Sequence, residues 1–133
     1  MNTFDTFIEV AEDCPAVHAE VPPARGGRAT KAAIEYELIA GEPYALTEEE
    51  VAFRTRVAMH DIPEADWPAE RERLLSQNKP RLRVSALAKR YGWGIHVDSH
   101  GRVALVPVES PQYERLAADP TLSHVRAFRS KRA

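Results

Sequence analysis

Apolar and polar residues alternate at the start of the chain. Phe4, Thr6, Ile8 and Val10 occupy every second position, and the side chains of a strand point alternately to the two faces of a sheet. The pattern therefore predicts an opening strand. Residues 15–29 follow without any period and contain several prolines and glycines, which is typical of a long, flexible surface loop.

The segments that follow the loop are predicted to be helices. Thr30 is predicted to cap a helix that runs to about Ala40, because its hydroxyl can accept a hydrogen bond from a free N–H of the first turn. A stronger start follows at Thr47, where the glutamates at 48–50 complete a capping box and suit the positive end of the helix dipole. A third helix is predicted to begin at Asp66, which precedes a Trp-Pro pair.

Two segments of the second half are ambiguous. Leu82, Val84 and Ala86 alternate with polar residues, which predicts a strand, and a short helix over 85–91 is the alternative. Near the C-terminus, residues 122–128 fit both a helical and an alternating pattern. The sequence therefore does not decide between a helix and a strand at the C-terminal end.

A hairpin and a helix are better defined. The apolar runs 93–97 and 102–108 are joined by residues 98–101, which begin with Asp and end with Gly. Such a connection is typical of a type I turn that closes with a left-handed glycine. Ser110 followed by Pro111 then predicts the start of a further helix.

The order of these elements predicts one α+β domain over residues 1–133. We expect a mainly antiparallel sheet that contains the hairpin of the C-terminal half, together with three to five helices. The loop at about 15–29 and a basic C-terminal tail at about 126–133 are expected to be the less ordered parts.

Composition narrows the classes of protein. The chain has 133 residues, 44% of them hydrophobic, so it can bury a core without disulfides. Its apolar runs are too short to cross a membrane, and its start lacks the basic and apolar regions of an export signal. The single cysteine, Cys14, cannot form an internal disulfide. These features predict a cytoplasmic protein without a membrane partner.

The net charge of −2 hides a strong asymmetry. Residues 1–78 contain 16 acidic and 7 basic residues, whereas residues 79–133 contain 4 acidic and 11 basic residues. The balances are therefore −9 and +7. A basic half indicates an anionic partner, unless the acidic half packs beside it and cancels its field.

Several strings of the sequence resemble a known family, the domain of unknown function 6157 family of small microbial proteins. They lie at 6–15, 20–23, 36–38, 43–44, 89–96, 109–113 and 129–132, and KRYGWGIH at 89–96 is the most specific. The resemblance covers nearly the whole chain. It implies a small cytoplasmic microbial protein and transfers no activity, cofactor or site residue.

Residues 89–96 hold the densest candidate chemistry. Lys89 and Arg90 can bind a phosphate or carboxylate, while Tyr91 or Trp93 stacks on a ring that the neighbouring glycines let come close. The alternative is a glycine-kinked strand whose aromatic side chains fill the core while the two cations stay in solvent.

A second basic cluster lies in the C-terminal tail and can join the first in space. We use the name "basic face" for Arg81, Arg83, Lys89, Arg90 and the tail residues 129–132. The sequence predicts that this face binds an anionic ligand, which would be a nucleic acid, a nucleotide or an acidic protein. The predicted ligand-binding residues are Arg83, Lys89, Arg90, Tyr91, Trp93, His96, Arg129 and Lys131.

Two other hypotheses remain open. One is a small enzyme whose site lies where the long loop meets the hairpin and uses His96 with Tyr91 or Cys14. The other is a homodimer whose acidic and basic halves pair between copies. No metal or cofactor is predicted, because His96 and His100 span a turn without a third ligand nearby in the sequence. The sequence favours a non-enzymatic binding protein.

Overall fold

The computed structural model describes residues 4–24, 26, 29–77 and 81–130. This part of the chain forms four strands and five helices, joined in places by short 3-10 turns at Glu64–Asp66 and Leu82–Val84. In chain order the elements are β1 (Thr6–Glu9), α1 (Lys31–Gly41), α2 (Glu48–His60), α3 (Trp67–Leu75), α4 (Ala86–Lys89), β2 (Trp93–Val97), β3 (Val103–Pro107), α5 (Pro111–Ala117) and β4 (Ser123–Arg126).

The four strands form one sheet in the order β3-β2-β1-β4. β2 is antiparallel to both of its neighbours, whereas β4 runs parallel to β1 with Thr6 opposite Ser123. β3 and β4 therefore point in the same direction, and α5 carries the chain back between them. The predicted α+β class is confirmed. The sheet is mixed rather than purely antiparallel. The segment 122–128, for which the sequence left helix and strand undecided, contains β4, and this strand pairs parallel with β1 at the edge of the sheet.

The sheet separates two unequal layers. On one face, the strands contribute Ile8, Ile95, Val97 and Val103 to a core that is closed by side chains of the helices and their flanks, among them Ile39, Leu46, Val51, Leu82 and Leu87. On the other face, α5 packs its Tyr113 ring edge-on against Phe7, with 5.0 Å between the ring centroids. The larger hydrophobic core thus lies between the sheet and the helices of the first half.

Side-chain caps begin four of the helices. The hydroxyls of Thr30, Thr47, Ser85 and Ser110 each accept a hydrogen bond from a backbone N–H in the first turn. At Thr47 the capping box with Glu50 is complete. The predicted caps of α1, α2 and α5 are confirmed, because this signal depends on neighbours in sequence.

The strand that the alternation of Leu82, Val84 and Ala86 predicted is wrong, and the helical alternative is correct. Leu82 is 1% exposed while Val84 is 42% exposed, so the two side chains do not share one buried strand face. Ser85 then caps α4, accepting a hydrogen bond from Leu87 N–H at 3.2 Å. A serine cap at this position favours a turn of helix over an extended chain.

The predicted hairpin is confirmed. β2 and β3 pair from Trp93 opposite Pro107 to Val97 opposite Val103. Between the strands, the Asp98 carboxylate accepts hydrogen bonds from two backbone N–H groups of the turn, and Gly101 has a φ of +78°. A left-handed residue without a Cβ lets the chain return in register.

Replacing Thr47 by Ala is expected to destabilise the protein by about 1 kcal/mol, because the Glu50 N–H in the first turn of α2 loses the hydroxyl that caps it. Thr47→Ser keeps the hydroxyl and is the matched control, with an expected loss smaller than that of the alanine variant. Urea unfolding followed by circular dichroism measures both. Equal stability of wild type and Thr47→Ala would contradict the assigned role of this cap.

Candidate functional site

The Trp93 side chain is held by the protein's own groups. Its indole N–H donates to the Glu20 carbonyl at 2.8 Å, and its ring lies 5.4 Å from that of Tyr36. Glu20 N–H in turn donates to the Tyr91 carbonyl at 2.8 Å. The loop after β1 therefore covers this part of the hairpin and uses the polar atom of the indole.

The two glycines beside Trp93 have packing reasons of their own. A Cβ on Gly94 would lie 2.7 Å from Tyr113 Cε2 and 2.9 Å from Phe7 Cζ. Gly92 has a φ of +78°, and a Cβ there would lie 2.9 Å from the His18 carbonyl oxygen. The close approach that the sequence indicated is made by the protein's own chain on both sides.

The cations of the basic face do not converge on one point. Arg83 donates to the Arg126 carbonyl at 2.8 Å and stacks over the Phe128 ring. Arg129 lies 3.9 Å from the Glu12 carboxylate. Lys131 lies outside the described residues, as does Arg132.

Lys89 and Arg90 differ from these cations. Neither side chain forms an ion pair or a hydrogen bond within the described part of the chain, and Arg90 is exposed. They lie at the C-terminal end of α4, where the helix dipole favours positive charge. Of the described cations in the basic face, these two are the ones free to meet an anion directly.

His96 lies on the α5 side of the sheet and pairs with a residue that sequence reasoning did not select. Its Nδ1 is 2.8 Å from the Tyr44 hydroxyl, and the two rings meet edge-on. Burial lowers the pKa of His96, while the carboxylates of Asp98, Asp119 and Asp5 act in the opposite direction. In the described structure, His96 has no hydrogen bond to Tyr91 or Cys14, the partners of the enzyme hypothesis.

A cavity of about 490 Å³ lies between α1, α2, α3 and the 3-10 turn at Leu82–Val84. We call it the helical cavity. Its buried lining includes Glu35, Glu48 and Thr55, and its more exposed lining includes the basic side chains of Lys31, Arg56, His60, Arg73 and Arg81. We call the buried members of the lining the inner wall and the more exposed members the mouth. The mouth thus contains several basic groups, and the inner wall contains two carboxyls.

Two carboxyls of the inner wall are almost fully buried. Glu35 and Glu48 are each 4% exposed. Glu35 accepts a hydrogen bond from the Ser85 hydroxyl at 2.9 Å, and Glu48 accepts one from Leu82 N–H at 3.1 Å. Burial raises the pKa of both carboxyls, against the lowering effect of these hydrogen bonds.

The cations at the mouth are only partly neutralised. The single carboxylate of Glu70 is shared by Arg56 and Arg73, which lowers the pKa of Glu70. Arg81 donates to the Leu74 carbonyl at 3.0 Å and to the Gln77 side chain at 3.2 Å, and both acceptors are uncharged. The mouth therefore keeps a positive balance that an anion can meet.

Sequence reasoning missed the inner wall of the cavity. The glutamates 48–50 were explained by the start of α2, yet only Glu50 completes the capping box, while Glu48 is buried in the cavity. On α1 the buried positions are Ala32, Glu35 and Ile39. A glutamate at helical spacing between two buried apolar residues is the signal that would have found Glu35.

Two other classes of site receive no support from the described residues. They contain no cluster of three or more His, Cys, Asp or Glu residues placed to hold a metal ion. In the same part of the chain, every helix is too short or too polar to span a lipid bilayer.

Replacing Gly94 by Ala is expected to destabilise the protein by about 1–3 kcal/mol, because the new methyl group collides with Phe7 and Tyr113. Gly41→Ala is the matched control. A Cβ on Gly41 meets nothing within 4 Å, so this variant is expected to be neutral or more stable by up to about 0.5–1 kcal/mol. Thermal unfolding compares them, and a fully stable Gly94→Ala would contradict the packing argument.

Glu48→Gln is expected to change how stability depends on pH. Since the pKa of Glu48 is raised by burial, the folded state holds this proton more tightly than the unfolded chain does. The contribution of Glu48 to stability therefore falls as pH rises from the ordinary value of 4.5 to the raised folded pKa, and is constant above it. The variant loses this part of the decline, so it gains stability relative to wild type as pH rises.

Urea unfolding at a series of pH values measures the effect. Glu37→Gln, at an exposed position of α1, controls for the loss of a carboxylate as such. Parallel curves of stability against pH for wild type and Glu48→Gln would contradict the role of burial.

Comparison with known proteins adds a family and no function. No curated protein matches the chain significantly, and no solved structure does so. One family model, described as a family of unknown function (DUF6157), matches residues 1–133. With the match extending over the full sequence, the chain belongs to this family.

Proposed function

We propose that the protein binds a small anionic molecule in the helical cavity. The basic side chains at the mouth hold the anionic group, and the buried inner wall holds the rest of the ligand. The observation that carries the proposal is the cavity itself, which has basic side chains at its mouth and, on its inner wall, two buried carboxyls and a buried hydroxyl without a hydrogen-bond partner among the described residues. An anionic ligand is also what the charge asymmetry of the sequence indicates.

The size of the cavity favours a metabolite over a polymer. Sites for small molecules are typically clefts of about 300–1,000 Å³, and the helical cavity has about 490 Å³. A phosphate or carboxylate attached to a few further heavy atoms fits this space. A nucleic acid strand would instead follow an open groove or surface.

The charge at the mouth supports the same ligand class. Glu70 supplies one negative charge to two arginines, and the described acceptors of Arg81 are both neutral. Lys31 is exposed and makes no hydrogen bond or close ion pair in the described structure. A guanidinium and an ammonium near one opening are well suited to a phosphate or a carboxylate.

The cavity lies where the acidic half of the chain meets the basic half. Its helical walls come from the acidic half of the chain, whereas Arg81, Leu82 and Val84 come from the basic half. The two halves therefore meet around the ligand, which faces cations from both of them. This differs from the basic face near Trp93 that the sequence indicated.

A binding role fits the site better than a catalytic one. One hydroxyl is bonded to a cavity carboxyl, that of Ser85, which donates to Glu35. Ser85 is 3% exposed, caps α4 with the same oxygen and does not line the cavity. A nucleophile must reach the substrate, and this hydroxyl has no open path to it.

Inorganic phosphate is the probe for the proposal. Isothermal titration calorimetry is expected to detect binding to the wild type, and Arg81→Gln or Lys31→Gln is expected to weaken it about tenfold or more, as the loss of a charge-assisted hydrogen bond does. Arg90→Gln, at an exposed cation outside the cavity, is the matched control and should bind as wild type does. Thermal unfolding verifies that each variant is folded.

The reverse pattern would contradict the cavity. If Arg90→Gln weakens phosphate binding and the cavity variants do not, the anion binds at the basic face. Fluorescence anisotropy with labelled single-stranded RNA at low salt tests that outcome further, because polyanion binding falls steeply as salt rises. Absence of phosphate binding at millimolar concentrations would also overturn the proposal.

A further inference from the structure

In each of the two buried carboxyls of the helical cavity, one oxygen accepts a hydrogen bond from a described residue. Glu35 Oε1 accepts from Ser85 and Glu48 Oε2 accepts from Leu82. Their other oxygens, Glu35 Oε2 and Glu48 Oε1, have no hydrogen-bond partner among the described residues. A carboxyl with two oxygens can accept about four hydrogen bonds, so each group can accept more than the one bond that a described residue donates to it.

In the described part of the chain, neither carboxyl is in direct contact with a lysine or arginine side chain. Lys31 attracts Glu35 and Arg81 attracts Glu48 through space. In the described structure, however, no lysine or arginine lies within ion-pair distance of either carboxyl. A buried carboxylate without a paired cation is costly, and a cationic group that enters the cavity would reduce this cost.

Thr55 adds a third acceptor on the same wall. The residue is 2% exposed, and its Oγ1 is a buried oxygen without a hydrogen-bond partner in the part of the chain that the structure describes. Leaving a buried hydroxyl unpaired costs about 1–3 kcal/mol. An ammonium has three N–H donors and no acceptor, which matches two carboxyl oxygens and one hydroxyl.

We propose that the helical cavity selects small molecules that carry both an anionic group and an ammonium group, with Glu35, Glu48 and Thr55 binding the ammonium. This inference rests on the proposed function, in which the cations at the mouth hold the anionic group. Because the carboxyls lie on the inner wall and the basic groups at the mouth, a zwitterion binds with its ammonium at the inner wall and its anionic group at the mouth.

An ammonium fits the inner wall better than a metal ion does. The described residues contain no group of three or more His, Cys, Asp and Glu side chains that could coordinate a metal. Hard cations such as Ca²⁺ take six to eight oxygen ligands, and Mg²⁺ requires a near-octahedral set. Two carboxyls and a hydroxyl are too few for these ions, but they are sufficient for three N–H donors.

A pair of probes that differ only in the ammonium tests the inference. O-Phosphoethanolamine and ethyl phosphate share a phosphate monoester and a two-carbon chain, and only the first carries an ammonium. Isothermal titration calorimetry on the wild type is expected to show at least tenfold tighter binding of phosphoethanolamine. Glu35→Gln and Glu48→Gln are each expected to reduce this preference several-fold, while ethyl phosphate binds as well as before or more tightly.

Two further variants sharpen the result. Thr55→Val keeps the shape of the side chain and removes its hydroxyl, so it should lower phosphoethanolamine affinity without loss of folding stability. Glu37→Gln removes an exposed carboxylate of α1 outside the cavity and should leave the preference unchanged. If a glutamate variant fails to fold, comparing the two probes on the wild type and on Thr55→Val still tests whether the cavity selects an ammonium.

The outcomes separate this inference from the proposed function. Equal binding of the two probes by the wild type would overturn the selection of an ammonium and leave anion binding in place. A preference that persists in every cavity variant would also overturn it, because the ammonium would then be bound elsewhere. If neither probe nor inorganic phosphate binds, the proposed function itself is wrong.

Discussion

Two buried glutamates connect the halves of the molecule. Glu48, at the start of α2, bonds to the backbone of Leu82, and Glu35, on α1, bonds to Ser85, which caps α4. Both carboxyls cost free energy to bury. Their hydrogen bonds offset part of this cost and hold the 3-10 turn and α4 against the first two helices. The position of β2, which follows α4, and the shape of the helical cavity both depend on these contacts.

Much of the fold could be predicted because its signals are local. A cap at Thr47 or Ser110 depends on residues within one helical turn, and the hairpin turn at 98–101 depends on four successive residues. The segment at Leu82 could not be read in this way, since its conformation depends on a carboxylate 34 positions away. The parallel pairing of β4 with β1 is equally non-local, and alternation alone does not reveal it.

The cavity could not be found from the sequence, because its lining comes from segments that are far apart along the chain. The sequence indicated an anionic ligand from the charge asymmetry, but it located the site near Trp93, where aromatic and basic residues cluster. In the folded chain Trp93 Nε1 is bonded to Glu20, and Gly94 makes room for Phe7 and Tyr113. A cluster in sequence is thus explained by packing, whereas the cavity draws its lining from four separate segments.

At the cavity, the acidic and basic halves meet without an ion pair between Glu35 or Glu48 and a lysine or arginine of the described chain. If the fields were neutralised by direct pairing, the buried carboxyls of the first half would meet cations of the second half in ion pairs. Instead Glu48 meets a backbone N–H, while Arg81 reaches the neutral oxygens of Leu74 and Gln77. The opposite charges therefore lie along the walls of one opening without closing on each other. Such a separation is unfavourable for folding alone and favourable for binding a molecule that carries both signs of charge.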